Sequence, residues 1–432
     1  MSLAAKAAGS TNDAIETDGN AAGTVLALNA GSSSIKAGVY RIDGDRGPTR
    51  LLAIEIERVG SADGSLRVRS DGDGALERSQ RFDDFDAALR GLFGVLDERG
   101  QRARLAAVGH RVVHGGPDHF RHERITPEVV AALRNALPLA RNHMPQALAG
   151  IDYVSKNLPH IAQVACFDTA FHRTMPPEAR RVPLPPDALG GGLRFERYGF
   201  HGLSYEYVCA ALAQLDSTNP PAGNVSHRRL IVAHLGSGAS MAAIRDGKSV
   251  DTTMGFTPNS GLLMGTRSGD IDPGILTFLM RERKLSADAL DALLERQSGL
   301  LGVSGTTADM RELLQIESSD PRAAEAIALF CHRAKKYLGA YASVLGGVDA
   351  LVFSGGIGER AAGIRARICA DQQHLGIHLD AAANAAHAPV ISSADSGVTV
   401  RVIATDEESM IVRHTRDVLA AAIDHAQGYT DA

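Results

Sequence analysis

Between Val25 and Lys36 an apolar run, Val25-Leu26-Ala27-Leu28, enters a turn of small residues, Asn29-Ala30-Gly31-Ser32-Ser33-Ser34, and leaves through Ile35-Lys36 as a second strand. A turn with so little side-chain bulk lets backbone N–H groups and hydroxyls close around phosphate oxygens, and Lys36 adds a positive charge. Two more glycine turns follow strands, at His234-Leu235-Gly236-Ser237-Gly238-Ala239-Ser240 and Phe353-Ser354-Gly355-Gly356-Ile357-Gly358-Glu359. One such turn alone is ordinary chain reversal. Their joint occurrence points to a nucleotide held between two halves of one protein. No G-x-G-x-x-G follows a strand, and Gly247-Lys248-Ser249 has Ala242 where a P-loop needs glycine, so Asp246-Gly247 reads as a hairpin turn.

The rest of the chain supports a duplicated α/β plan. Leu51 to Val59 reads as a strand, Asp83 to Glu98 as a helix, Leu105 to Val108 and Ile161 to Phe167 as buried strands, and Thr126-Pro127 as a helix start. A second unit repeats the order: strands at Leu230 to Leu235 and Met241 to Ile244, helices near Ile275 to Arg283, Ala287 to Gln297 and Ala323 to Leu345, then a strand Ala350 to Phe353 and a turn. A strand Val398 to Ala404 precedes a last helix, Glu407 to Ala426, expected to return to the first domain. The proline-rich stretch Met175 to Pro186 marks the crossing. The expected organisation is a mobile tail over 1–23, a first domain of 24–174 plus 406–432, and a second of 175–405, with a cleft between them.

At 432 residues and 44% hydrophobic content the chain can build two packed domains. Its 45 basic and 50 acidic residues form no basic run that would favour nucleic acid or an anionic membrane. No apolar stretch spans a bilayer, and Cys166, Cys209, Cys331 and Cys369 are scattered without a C-x-x-C pair, which fits reduced thiols in the cytoplasm. The partners expected are small molecules.

Charged and imidazole groups fall beside predicted strand ends: Arg111, His114, Asp168, His172, His201, His234, Arg267, Asp270, Asp272 and Glu407. Two guanidinium forks could hold a carboxylate in line with a phosphoryl donor, the role expected of Arg111 and Arg267, although either alone could equally be a bridging ion pair. His201 could donate to a transferring phosphoryl group or be a satisfied interior histidine. Asp168 and Glu407 could help to hold Mg²⁺, or Glu407 could merely open a helix.

Taken together, Asn29 to Lys36, Gly109-His110-Arg111-Val112-Val113-His114-Gly115-Gly116, Phe167-Asp168-Thr169-Ala170-Phe171-His172 and Met264-Gly265-Thr266-Arg267-Ser268-Gly269-Asp270-Ile271-Asp272-Pro273 resemble the acetate and propionate kinase family. The resemblance runs from about residue 24 to the end. It implies the duplicated actin-like ATPase fold, a homodimer, and reversible phosphoryl transfer between ATP and a short-chain carboxylate with Mg²⁺ or Mn²⁺. Position by position it implies Arg111, Asp168, His201 and Arg267 as catalytic, and Asn29 and Glu407 at the metal. It implies ATP contacts at Ser32, Ser34, Lys36, His234, Gly236, Ser237, Gly238, Asp309, Met310, Arg311, Gly356, Ile357 and Gly358. The acid would meet Arg111, Val113, His143, Phe200 and Pro258. Departures from the family pattern are Ser237 for an asparagine, Asn142 for an apolar residue, and Leu203 for a small hydroxyl residue. Acetate is the expected acceptor; propionate or butyrate, and more remotely an ATP-driven switch, are the alternatives.

Overall fold

The computed structural model describes residues 23–42, 47–70, 73–185, 195–218 and 229–427. The tail expected over 1–23 therefore lies, except for Gly23, outside the described residues, as does Pro186 at the end of the proline-rich stretch.

Among the described residues thirteen strands form two sheets. The first contains β1 (Thr24–Ala30), β2 (Ser34–Ile42), β3 (Pro48–Glu57), β4 (Ser65–Ser70), β5 (Asp73–Ser79), β6 (Leu105–Val112), β7 (Glu123–Arg124) and β8 (Ala162–Phe167) in the order β5-β4-β3-β2-β1-β6-β8-β7. The second contains β9 (Arg229–Leu235), β10 (Ala239–Arg245), β11 (Lys248–Thr252), β12 (Ala350–Ser354) and β13 (Thr399–Val402) in the order β11-β10-β9-β12-β13. A five-stranded antiparallel meander, β1 to β5, in the first sheet and a three-stranded one, β9 to β11, in the second each continue into parallel strands: β1 lies beside β6 and β6 beside β8, as β9 lies beside β12 and β12 beside β13. The repeated topology is the duplicated α/β architecture expected from the sequence.

Local chemistry explains most elements. Asp84 caps the helix Phe85–Glu98 by accepting from Ala87 N, and Thr126 caps Pro127–Asn135 with proline at its first position. Asp246 and Gly247, both with positive φ (50° and 75°), make the tight turn of the β10–β11 hairpin. Strands β4 and β5 were not expected: Ser-Leu-Arg-Val-Arg-Ser is short and heavily charged, and only Leu66 and Val68 face the core. The stretch after β12 is not an open turn. Gly355 (φ +74°) starts a helix, Gly355–Arg360, and a Cβ there would sit 2.8 Å from Leu235 O.

Strand β6 also runs further than the pattern suggests, to Val112 rather than Val108, because His110 is buried and bonds Gln163 while Arg111 and Val112 still pair with Cys166 and Phe167. Arg111 is thus delivered by a strand end. The helix Glu407–Gln427 packs on β1, β6 and β8, and Gly109 permits the approach, since a Cβ there would lie 2.2 Å from Thr415 Oγ1. Its first turn consequently meets the β1–β2 turn. The largest apolar cluster extends from Val112, Met144 and Phe167 to Ile231, Met264 and Phe353, so one core joins both sheets beneath the cleft.

Candidate active site

The glycine turns and the ends of β1, β6 and β9 surround a cavity of about 620 Å³, lined among others by Asn29, Ser34, Lys36, Arg111, His201 and Glu407. His234, Gly236, Ser237, Gly238 and Gly356 complete its other wall. Gly236 and Gly356 face each other closely; a Cβ on Gly236 would lie 4.0 Å from Gly356 N. An adjoining cavity of about 880 Å³ is lined by Asp309, Met310, Arg311, Ile357 and also Ser237. Ser32 is exposed on its turn and lines neither cavity, and Gly358 is buried in its helix.

Arg111 is clamped from three sides. Its Nη2 donates to Asp168 Oδ2 at 2.7 Å, its Nη1 to Asn29 Oδ1 at 3.1 Å, and Glu407 Oε2 lies 3.9 Å from Nε. Burial works against this charge, but Asp168 and Glu407 outweigh it and raise the pKa above the usual arginine value. Asp168 is fully buried; Oδ2 also accepts from His201 N at 3.0 Å, while Oδ1 has no hydrogen-bond partner. Asn29 Nδ2 in turn donates to Glu407 at 3.1 Å and to Glu408 at 3.3 Å. Glu408 was not anticipated, and the paired acids opening the last helix were its only signal. Burial, then the Glu407 charge, push its carboxyl above the usual range.

Arg267 differs in kind. No carboxylate lies within ion-pair distance among the described residues; it donates to Pro258 O at 3.1 Å and to His143 Nε2 at 3.2 Å. Burial, opposed by Glu295 and reinforced by Arg111, lowers its pKa. His143, buried and facing both arginines, is pushed down to about 3, so it is neutral and accepts from Arg267 through Nε2. A Cβ on Gly238 would lie 3.4 Å from His201 Nε2 and 3.8 Å from Arg267 Nη1, which places imidazole and guanidinium against one glycine turn.

His201 sits in the left-handed region (φ +61°), held by its N–H bond to Asp168. Burial first, then His234 and the two arginines, drive its pKa well below the ordinary value, so the ring is neutral. Tyr205 OH and His201 Nδ1 both meet Ser240 Oγ, at 2.5 and 2.8 Å. Burial keeps the Tyr205 phenol protonated. If Tyr205 donates to Ser240, the Ser240 hydroxyl donates to His201 Nδ1, and the ring proton is left on Nε2, toward the cleft. Ser204 Oγ braces His234 Nδ1 in the same way at 2.8 Å.

Other candidates are placed elsewhere. Val113 and Phe200 are buried in the joint core and line neither cavity, nor a third of about 270 Å³ that holds Asn142, His143 and Pro258. His114 meets Tyr198 edge to face, His172 donates to Phe200 O, Asp270 accepts from Gly261 N, and Asp272 caps the helix Pro273–Glu282. These four shape the loops instead of lining the cleft.

Burial holds His110, His114 and His172 at about 4, against 6.5 for a free imidazole. Below pH 6.5 the unfolded chain takes up protons on these rings that the folded chain refuses until about pH 4. Stability is therefore fully present above pH 6.5 and lost as pH falls from 6.5 toward 4. Thermal unfolding between pH 7.5 and 4.5 checks this: Tm should fall steeply below 6.5, and His110→Gln should flatten the slope.

Residues 24–413 match the Acetokinase family. An acetate kinase of Rhodopseudomonas palustris is 45% identical over 401 residues, covering 90% of this chain and 97% of that protein. The crystal structure of Porphyromonas gingivalis acetate kinase superposes with a TM-score of 0.79 at 39% identity, covering 92% of this chain and all of that one. A propionate kinase from Francisella tularensis gives a TM-score of 0.83 at 34% identity, covering 92% and 100%. With a strand-end arginine tied to a buried aspartate, an unpaired arginine opposite it, and glycine turns between, this chain belongs to the acetokinase family and has its duplicated actin-like fold.

Proposed function

We propose that the protein catalyses reversible phosphoryl transfer between ATP and acetate, giving ADP and acetyl phosphate. The observation that carries this reading is Arg267, a largely buried guanidinium that has no carboxylate partner among the described residues, lies against the Gly238 turn and is close enough to Arg111 for the two charges to repel. A buried cation left unpaired by the protein is a site for an anion. The names of its relatives point to the acid: acetate for the Rhodopseudomonas palustris protein and propionate for the Francisella tularensis structure.

The β1–β2 turn, the β9–β10 turn and the start of Gly355–Arg360 would receive the phosphates, with the nucleoside along Asp309 to Arg311 and Ile357. Arg267 and Arg111 would hold the acid's carboxylate, whose oxygen attacks the γ-phosphorus as the bond to the β-phosphate oxygen breaks. The guanidinium forks supply fixed positive charge, and neutral His201 a hydrogen-bond donor at Nε2, where the equatorial oxygens gather negative charge. Neutral imidazoles suit this role: His143 and His201 donate or accept hydrogen bonds without competing for the anion. Pro258, whose carbonyl accepts from Arg267, would meet the methyl group, while Val113 and Phe200 belong to the core cluster and line none of the cavities.

The group Asn29, Glu407 and Glu408, beside Asp168 with its unpartnered Oδ1, is an oxygen-donor set with excess negative charge, which fits a hard divalent cation. Mg²⁺ or Mn²⁺ held there would offset the charge of the nucleotide phosphates. We read 24–174 with 406–432 as one domain and 175–405 as the other, with closure excluding water. A homodimer is supported by Ile271, Ile275, Phe278 and Met280, which stand 37, 45, 55 and 46% exposed just after the Arg267 loop. Four free cysteines are consistent with a cytoplasmic setting, and no described helix is long and apolar enough to cross a membrane.

A hydroxamate-trapping assay across acetate, propionate and butyrate tests the reading. Acetate should give the highest kcat/KM, with each added methylene changing it by about 1 to 3 kcal/mol of transition-state binding. A higher value for propionate or butyrate would reassign the substrate. ATP hydrolysis with no trapped acyl phosphate from any acid would point to an ATP-driven switch.

A further inference from the structure

His122, Glu206 and His414 come together from three elements and line none of the cavities described above. His122 precedes β7, Glu206 lies in the helix Gly202–Thr218, and His414 in the helix Glu407–Gln427. His414 Nε2 is 2.6 Å from Glu206 Oε2, and His122 Nε2 is 3.8 Å from Glu206 Oε1. The two imidazoles lie tilted by 34° to each other, with centroids 3.8 Å apart. One donor atom from each residue falls within 4.8 Å of the others.

We propose that His122, Glu206 and His414 form a binding site for a borderline divalent cation such as Zn²⁺, and that its occupation slows the enzyme. Two imidazoles and one carboxylate are a common three-residue zinc set, leaving a fourth position for water. Tetrahedral zinc with bonds near 2.0 to 2.1 Å needs donors about 3.3 Å apart, and the separations here bracket that value. Burial opposes the Glu206 charge, but hydrogen bonds from His122 and His414 outweigh it and hold the carboxyl at about 2, so the anionic ligand is ready. The side chains are 12, 18 and 20% exposed, so an ion can reach them.

The inhibitory consequence follows from His122. Its Nδ1 accepts the Phe167 N–H at 3.0 Å, so the neutral ring carries its proton on Nε2. Coordination through Nε2 moves that proton to Nδ1, where it faces the Phe167 N–H, and that bond is lost. Phe167 precedes Asp168, Glu206 lies five residues after His201, and His414 lies two helical turns after Glu407. One ion would thus pull on the three elements that carry the cleft's acids and imidazole.

Calorimetric titration of the metal-free, nucleotide-free protein with ZnCl₂ tests binding independently of the reaction. One Zn²⁺ per chain is expected, weakened roughly tenfold or more in His122→Gln and in His414→Gln, at least the cost of losing an outer-shell partner. No binding by the wild type, or equal binding by both variants, would overturn the site. At saturating Mg-ATP, Zn²⁺ should slow the wild type reversibly and spare the variants. Equal inhibition of all three would place the effect at the nucleotide site and defeat the proposed coupling. Far-UV circular dichroism confirms that each variant is folded, and each single variant gives the reading alone.

Discussion

Arg267→Ala should lower kcat by roughly 10³-fold, the scale on which an arginine supports phosphoryl transfer, while the protein stays folded. The two effects separate because Arg267 has no carboxylate to lose. Its partners among the described residues are Pro258 O, His143 Nε2 and, more weakly, the Met264 sulfur, the first two bonds contributing about 1 kcal/mol each, and its removal also relieves a desolvated charge with no carboxylate beside it. Tm should therefore stay within a few degrees of the wild type. Arg267→Lys keeps the charge but loses the planar fork, and should recover only part of the rate. Added guanidinium should partly rescue the alanine variant, because the cavity that it leaves is lined to bind one. Near-normal turnover in Arg267→Ala would remove the central support for the proposed reaction.

Arg267 was singled out mainly through the family resemblance of its segment, since viewed alone it could equally be a bridging ion pair. The run Met264 to Pro273 concentrates glycine, arginine and aspartate in one loop, and the β1 and β9 turns are local patterns of apolar run, small residues and apolar run. Most strands of both sheets follow from such patterns, since each of these declares itself within a few residues. Strands β4 and β5 did not, because their pairing rests on an edge where Arg67 bonds Glu55 and Glu77, and charge masks the alternation of Leu66 and Val68.

What the sequence hides is whatever depends on distant pairing. Ser240 and Tyr205, 35 residues apart, set the tautomer open to His201, and nothing around either residue announces that. The neutrality of His143 is likewise a product of burial beside two arginines brought from β6 and the Arg267 loop. Strand-end position alone lists His114, His172, His201 and His234 together, and the family resemblance sets His201 and His234 apart. Packing divides them, the first two shaping loops and the last two lining the cleft.

Asp168→Ala should fail differently, losing activity and stability together. Oδ2 holds both Arg111 Nη2 and the backbone N–H of His201, a residue whose φ of +61° is sustained by that bond. Removing the carboxylate leaves the largely buried Arg111 with Asn29 and a Glu407 oxygen 3.9 Å away, an outcome that typically costs about 3 to 5 kcal/mol. Freed of its acceptor, the His201 backbone can relax out of the left-handed region and carry Nε2 away from Gly238. A fall in kcat of roughly 10² to 10³ should accompany a drop in Tm of many degrees. Asp168→Asn keeps one acceptor oxygen and should regain much of the stability but little of the rate, since a neutral amide does not balance the Arg111 charge. Should Asp168→Ala instead keep the wild-type Tm, the buried aspartate would not be what holds Arg111 and His201 in position.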